Sequence, residues 1–285
     1  MHVPQFRISR RSVTIATALA GVLSLVIGAH AALNMRALDA AKAIATEQDG
    51  VAAKHSSRIA LVIGNGHYPD ASAPLAQPIN DARALTASLR RDGFDVDVVE
   101  DASKDDMSRA VARLKSRIRP DSVVMLFFGG YGVQVGRESY MIPVDAAIWK
   151  EADVRRDGVS VESVLDVMKE RGARAKLVVI DASRRNPYER RFRAFSHGLA
   201  PISAPDNALI LSSATPGQVA DDSSAQNSVL MAELLNNLNA ETGVETSFNK
   251  TRVAISRASK GVQVPSVSSS LTEDLHFGSV ENAGG

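Results

Sequence analysis

The groups best placed for chemistry are a carboxylate and a hydroxyl two residues apart. Asp181-Ala182-Ser183-Arg184-Arg185-Asn186-Pro187 directly follows the apolar run Lys176-Leu-Val-Val-Ile180. A polar segment leaving a buried strand offers its first side chains at the strand end, where a hydroxyl can attack and a carboxylate can hold a cation. A second segment of this kind, Phe127-Phe-Gly-Gly-Tyr-Gly132, sets Tyr131 between glycines. A serine attacks only when a base accepts its proton; a phenol, with a pKa of about 10, is neutral at pH 7 and a poor base. Ser183 therefore needs another group as its base. Of the six histidines (His2, His30, His55, His67, His197 and His276), His67 is the first candidate for that group and His197 the second. The plain alternative for His67 is a solvated loop histidine. Asp181 also has two readings: an acid that binds a basic ligand, or a loop cap that accepts backbone N–H groups.

Much other chemistry is excluded. The 285 residues contain no cysteine, so there is no thiolate, disulfide or cysteine metal site. Asp105-Asp106 and Asp221-Asp222 read as solvated pairs, no ligand set has metal spacing, and no cofactor is expected. Gly64-Asn65-Gly66 lacks the third glycine of a dinucleotide loop. A net charge of +1 and 5% aromatic residues give no reason to expect nucleic acid as a partner. Arg184, Arg185, Arg190, Arg191 and Arg193, interrupted by Glu189, read as a solvated basic loop; contact with an anionic lipid or acidic partner is the sharper alternative.

These residues need elements to hold them. Arg58–Ile63, Val123–Phe128, Lys176–Ile180 and Ala208–Ser212 are continuous apolar runs, the mark of strands buried on both faces, and Phe94–Val99 alternates like a strand. Helical spacing covers 80–91, with Asn80 or Asp81 as its cap, then 105–118, 161–171, 228–239 and 245–258. Residues 134–143 read as a short hairpin or an irregular excursion. Buried strands alternating with helices predict an α/β domain with a mainly parallel sheet and helices on both faces. Sites then form beyond the carboxyl ends of the strands, where the loops 64–68, 129–132 and 181–187 emerge.

Residues 1–35 read as a signal peptide or membrane anchor: Arg7, Arg10 and Arg11 precede a stretch, 12–35, without a formal charge. The arginines favour a cytoplasmic N-terminus and an exported or periplasmic domain. Cleavage and retention both fit, and a retained segment would be an apolar helix holding the protein to the inner membrane. Residues 36–57 are a linker, 58–278 the domain and 279–285 a disordered tail.

The domain resembles the caspase-like peptidases of bacteria, the metacaspase and orthocaspase group of peptidase C14, over their p20 domain. The matching residues are Ala60-Leu-Val-Ile-Gly-Asn65 with Tyr68, Pro78-Ile-Asn-Asp-Ala82, Gly93-Phe94, the run from Phe127 to Val133, Tyr140-Met-Ile-Pro-Val-Asp145 and the run from Leu177 to Pro187. Gly198-Leu-Ala-Pro201, Ala214-Thr-Pro-Gly-Gln218, Asn227-Ser228, Val264-Pro265 and Ser268-Ser-Ser-Leu271 complete the match. The resemblance implies the caspase-hemoglobinase fold and a histidine–cysteine dyad. By position, Tyr131 stands where that family has the histidine and Ser183 where it has the cysteine. Gly132 and Ser183 would supply the oxyanion N–H groups. Asp181 matches the acid that selects Arg or Lys before the cleaved bond. With both reacting groups replaced, the expected protein is an inactive pseudopeptidase that binds peptide or protein ligands, basic ones in particular. The alternatives are an active endopeptidase using Ser183 with a non-standard base such as His67, or a structural or assembly module.

Overall fold

Along the chain run β1 (Arg58–Gly64), α1 (Gln77–Arg91), β2 (Asp95–Glu100), α2 (Lys104–Arg117), β3 (Val123–Gly129), β4 (Gly132–Val135), β5 (Glu138–Met141), α3 (Glu151–Asp157), β6 (Val159–Ser160), α4 (Val161–Glu170), β7 (Ala175–Asp181), β8 (Ala208–Ser212), α5 (Val229–Asn237), α6 (Val244–Ala258) and β9 (Ser266–Ser269). The structure, a computed structural model, describes residues 57–69, 74–182, 199, 201–215, 218, 225–239 and 241–277. Outside the described residues lie the apolar segment 1–35, all but the last residue of the linker, the tail 279–285, Ser183, His197, the arginine-rich loop and Asp221-Asp222. Among the described residues no helix is long and apolar enough to cross a membrane.

The apolar runs become the parallel strands that the sequence predicts. The main sheet has the order β2-β1-β3-β7-β8-β9; the first five strands are parallel, and β9 closes the edge antiparallel to β8. The strands β3 and β7 are buried along their whole length because helices cover both faces. On one face α2 and α4 pack Met107, Leu114, Leu165 and Met168 against Leu61, Leu126 and Val178. On the other, α1, α5 and α6 pack Leu85, Leu89, Leu234 and Phe248 against Val62, Phe127 and Val179. The exposed edge β2 carries Asp95, Asp97 and Glu100, each ion-paired to Arg117, Arg113 and Arg83 respectively, which hinders pairing with another chain.

Three features differ from the reading of the sequence. α1 begins at Gln77, not at Asn80 or Asp81, because Pro78 fits the first turn, where its missing N–H costs nothing. Asp81 therefore does not cap its own helix. The excursion after β3 is a small antiparallel sheet, β4-β5-β6, with α3 before β6; the sequence shows only its first hairpin. The strand β9 is serine-rich and half-exposed and gave no strand signal.

Candidate functional site

The register of the sheet sets Gly64, Gly129 and Asp181 side by side at the carboxyl edge of β1, β3 and β7. Gly64 is needed for a close approach, and Gly129 eases it. A Cβ on Gly64 would stand 2.5 Å from the Pro78 carbonyl oxygen, and one on Gly129 would stand 3.2 Å from the Pro78 Cβ. The first turn of α1 thus rests directly on the strand ends.

The next turn of α1 delivers Asp81, which has no exposed surface. Its Oδ1 accepts hydrogen bonds from Asn227 Nδ2 at 2.8 Å and from the Ser228 N–H at 3.0 Å, just before α5. Its Oδ2 is buried with no hydrogen-bond partner among the described residues. Asp181, at the end of β7, is 2% exposed. Side chains alternate along a strand, so Asp181 shares the α1 face with Leu177 and Val179. The same alternation carries Ser213, just past β8, onto that face with Leu209 and Leu211. Ser213 extends the ladder by donating its N–H to the Ile180 carbonyl at 3.0 Å, and its Oγ is buried without a partner among the described residues. Two carboxylates and a hydroxyl thus gather under α1. Burial, and after it the charge of Asp181, push the Asp81 carboxyl up to about 6, while the Asn227 and Ser228 bonds pull the other way. Such acceptors suit a guanidinium or ammonium group. A groove also runs elsewhere, along α6 beside Glu245, Lys250 and Arg257, and has no comparable buried acid among its lining residues.

The other half of the edge is apolar. Tyr131 is only 9% exposed and packs in a cluster with Val133, Tyr140, Ile142 and Ile148. Its ring meets Tyr68 edge-on, with centroids 4.7 Å apart. The Tyr68 hydroxyl accepts from the Tyr131 N–H at 3.1 Å and donates to the Ile142 carbonyl at 2.9 Å. A Cβ on Gly130 would stand 2.5 Å from that hydroxyl, so this loop is built around it. The phenol at position 131 therefore serves as a packed core group. The N–H of Gly132, expected to face an oxyanion, instead donates to the Ala182 carbonyl at 3.2 Å.

His67 does not join this group. Its ring is 65% exposed and its Nδ1 lies 2.6 Å from Asp101 Oδ2, past the end of β2. The strand β1 is separated from β7 by β3, and two strand spacings amount to about 10 Å. Ser183 lies outside the described residues, two positions beyond Asp181. Of the residues singled out in the sequence, the structure brings Tyr131, Gly132 and Asp181 to one edge. Sequence reasoning missed Asp81 as a site residue, and missed Ser213. The signal for Ser213 was available: like Asp181, it stands where a buried run ends. Asp81 stood within Pro78-Ile-Asn-Asp-Ala82, but its partner Asn227 is 146 residues away.

A mainly parallel six-stranded sheet, covered by helices on both faces and with its polar groups at the carboxyl edge, defines a caspase-like α/β protein. The chain belongs to the caspase domain family of peptidase C14, whose family model matches residues 57–276. It is also similar to the mucosa-associated lymphoid tissue lymphoma translocation protein 1 of Homo sapiens and to its homolog in Mus musculus. Each is 28% identical over 133 residues, 46% of this chain and 16% of the relative. The chain thus matches about one sixth of the length of those relatives.

Proposed function

We propose that this caspase-fold protein recognises a basic side chain of a peptide or protein without cutting the chain that carries it. The observation that carries this reading is the buried pair Asp81 and Asp181, with Ser213 beside it, in a chain that has no cysteine. A guanidinium offers five donors in a planar fork, and the pair offers carboxylate oxygens to receive them. The groups for peptide cleavage are poorly supported by comparison. Tyr131 is packed in an apolar cluster, the Gly132 N–H is engaged, and His67 is held by Asp101.

The test uses the purified full chain and end-capped peptides with a single Arg, Lys or norleucine. The Arg and Lys peptides are expected to bind, the norleucine peptide not, and none to be cleaved; Asp181→Ala is expected to abolish binding. Turnover that disappears in Ser183→Ala would establish a serine endopeptidase instead. A folded chain that binds no peptide would leave the structural-module reading.

The proposal includes a location outside the cytoplasm, supported by Arg7, Arg10 and Arg11 ahead of the uncharged stretch 12–35. A C-terminal reporter that works only after export is expected to be active; activity of a cytoplasm-dependent reporter alone would refute it.

A further inference from the structure

We propose that the protein has a second binding site, at the amino edge of the sheet, that takes a small carboxylate with an apolar body. The site is a cavity of about 150 Å³ at the starts of β1, β3 and β7, the edge opposite the one that carries Asp181. Arg58 opens β1, and alternation puts its side chain on the face of Ala60 and Val62, under α1 and α6. Arg174 directly precedes β7 and also lines the cavity. Much of the remaining wall is apolar, formed by Phe94, Leu177, Val244 and Phe277. The segment 273–277 closes it, tied down where Val244 donates its N–H to the Leu275 carbonyl at 2.7 Å. The rings of Phe94 and Phe277 stand with their centroids 6.0 Å apart. A cavity of this volume with apolar walls accommodates one benzene-sized ring.

The charges around the cavity decide the sign of the ligand. Two carboxylates reach it, and each has a basic neighbour. Glu273 Oε1 lies 3.5 Å from Arg174 Nε, and Asp274 Oδ2 lies 3.6 Å from His276 Nε2. Among the described residues Arg58 forms no such ion pair. Its guanidinium donates one hydrogen bond, to the Asp92 carbonyl at 2.9 Å, and lies over the Phe94 ring at 5.8 Å from the centroid. Burial holds its pKa below the ordinary arginine value; the charge of Asp92 opposes this and that of Arg174 adds to it. A half-buried cation short of a counter-charge is costly, and a carboxylate offers two oxygens that match the guanidinium fork. One unpaired guanidinium calls for one negative charge, which favours a carboxylate over a phosphate. The apolar walls call for a compact hydrocarbon body behind it.

The experiment is a titration of the full chain, followed by calorimetry and by methyl NMR signals, with sodium benzoate, benzamide and benzylamine. The three probes share a ring and differ in charge. Benzoate is expected to bind in the millimolar range and to shift the methyl signals of Leu177 and Val244. Benzamide and benzylamine are expected to bind about tenfold more weakly or less. Arg58→Gln, with its fold checked by urea denaturation, is expected to bind benzoate no better than benzamide. Val244→Phe, which fills the cavity, is expected to bind neither. Equal binding of benzoate and benzamide to the wild-type chain, a comparison that needs no variant, overturns the anion site. Benzoate binding that survives Arg58→Gln unchanged overturns the role of Arg58. Methyl shifts confined to residues away from this edge, or no saturable binding in the millimolar range, overturn the site altogether.

Discussion

At Asp81, folding and ligand recognition favour opposite things. A buried carboxylate beside another suits an incoming cation, yet without one its charge is a burden on the native state. Its carboxyl is raised from 3.8 to about 6, so the native state holds a proton that the unfolded chain has already released between those values. Stability contributed by this group therefore falls as pH rises through that window and stays low above it. At ~1.36 kcal/mol per unit, a shift of about two units amounts to roughly 3 kcal/mol. Asp81→Asn keeps an oxygen to accept from Asn227 and Ser228 while removing the charge. It is expected to stabilise the chain by up to about 3 kcal/mol at pH 7.5 and by little near pH 4. Urea denaturation at pH 4, 5.5 and 7.5 checks this; a gain independent of pH would show that the carboxylate is not the source. Tyr131 shows the opposite economy. It fills a cluster with Tyr68, Val133 and Ile148, where burial favours the side chain instead of penalising it.

The elements place these residues through contacts too tight for any side chain. The Gly64 position faces the Pro78 carbonyl at 2.5 Å and the Ala82 Cβ at 2.9 Å, both on α1. A backbone oxygen within a helix cannot turn aside, so Gly64→Ala must lift α1 from the sheet, and Asp81 moves with it. Overpacking of this kind typically costs ~1–3 kcal/mol. The expected outcome is a lower urea midpoint together with weaker binding of capped arginine; an unchanged affinity at reduced stability would detach Asp81 from the site. At this scale the sequence was informative where burial was continuous. The runs that became β1, β3, β7 and β8 were legible because both faces of each strand are apolar. Asp181 was legible because it ends such a run. The strand β9, Ser266-Val-Ser-Ser269, was not, since pairing with β8 rather than its own pattern makes it a strand. Nor were α3, with seven residues, and β6, with two, long enough to show a period. Asp81 was visible as a cap for its own helix and within the matching segment 78–82, but not as a partner of the sheet edge. Its actual role depends on Asn227 and Ser228, and no local pattern announces a contact across 146 residues.

Across the whole molecule, the frame that would serve a dyad is present even though the side chains at its positions differ from those the resemblance implies. Parallel pairing of β3 with β7 fixes Gly129 opposite Asp181, so residues 131 and 183 each follow a strand end by two positions. Restoring the reacting groups by Tyr131→His with Ser183→Cys tests how much of the rest still works. Two features limit the gain. The Gly132 N–H would have to leave the Ala182 carbonyl to serve an oxyanion, and an imidazole would give up the edge-on contact that Tyr131 makes with Tyr68. A single oxyanion donor is worth ~2.7–4 kcal/mol in acyl transfer, a factor of about a hundred to a thousand in rate. The double variant is therefore expected to cleave after Arg or Lys slowly, to lose that cleavage on Asp181→Ala, and to unfold at lower urea than the parent chain. Rapid cleavage would mean that the Gly132 N–H is easily freed and that only the two reacting side chains separate this chain from a working peptidase. A folded double variant that still binds capped arginine but cuts nothing would locate the remaining defect in the oxyanion contact, which an Ala182 carbonyl turned away from Gly132 would then have to repair.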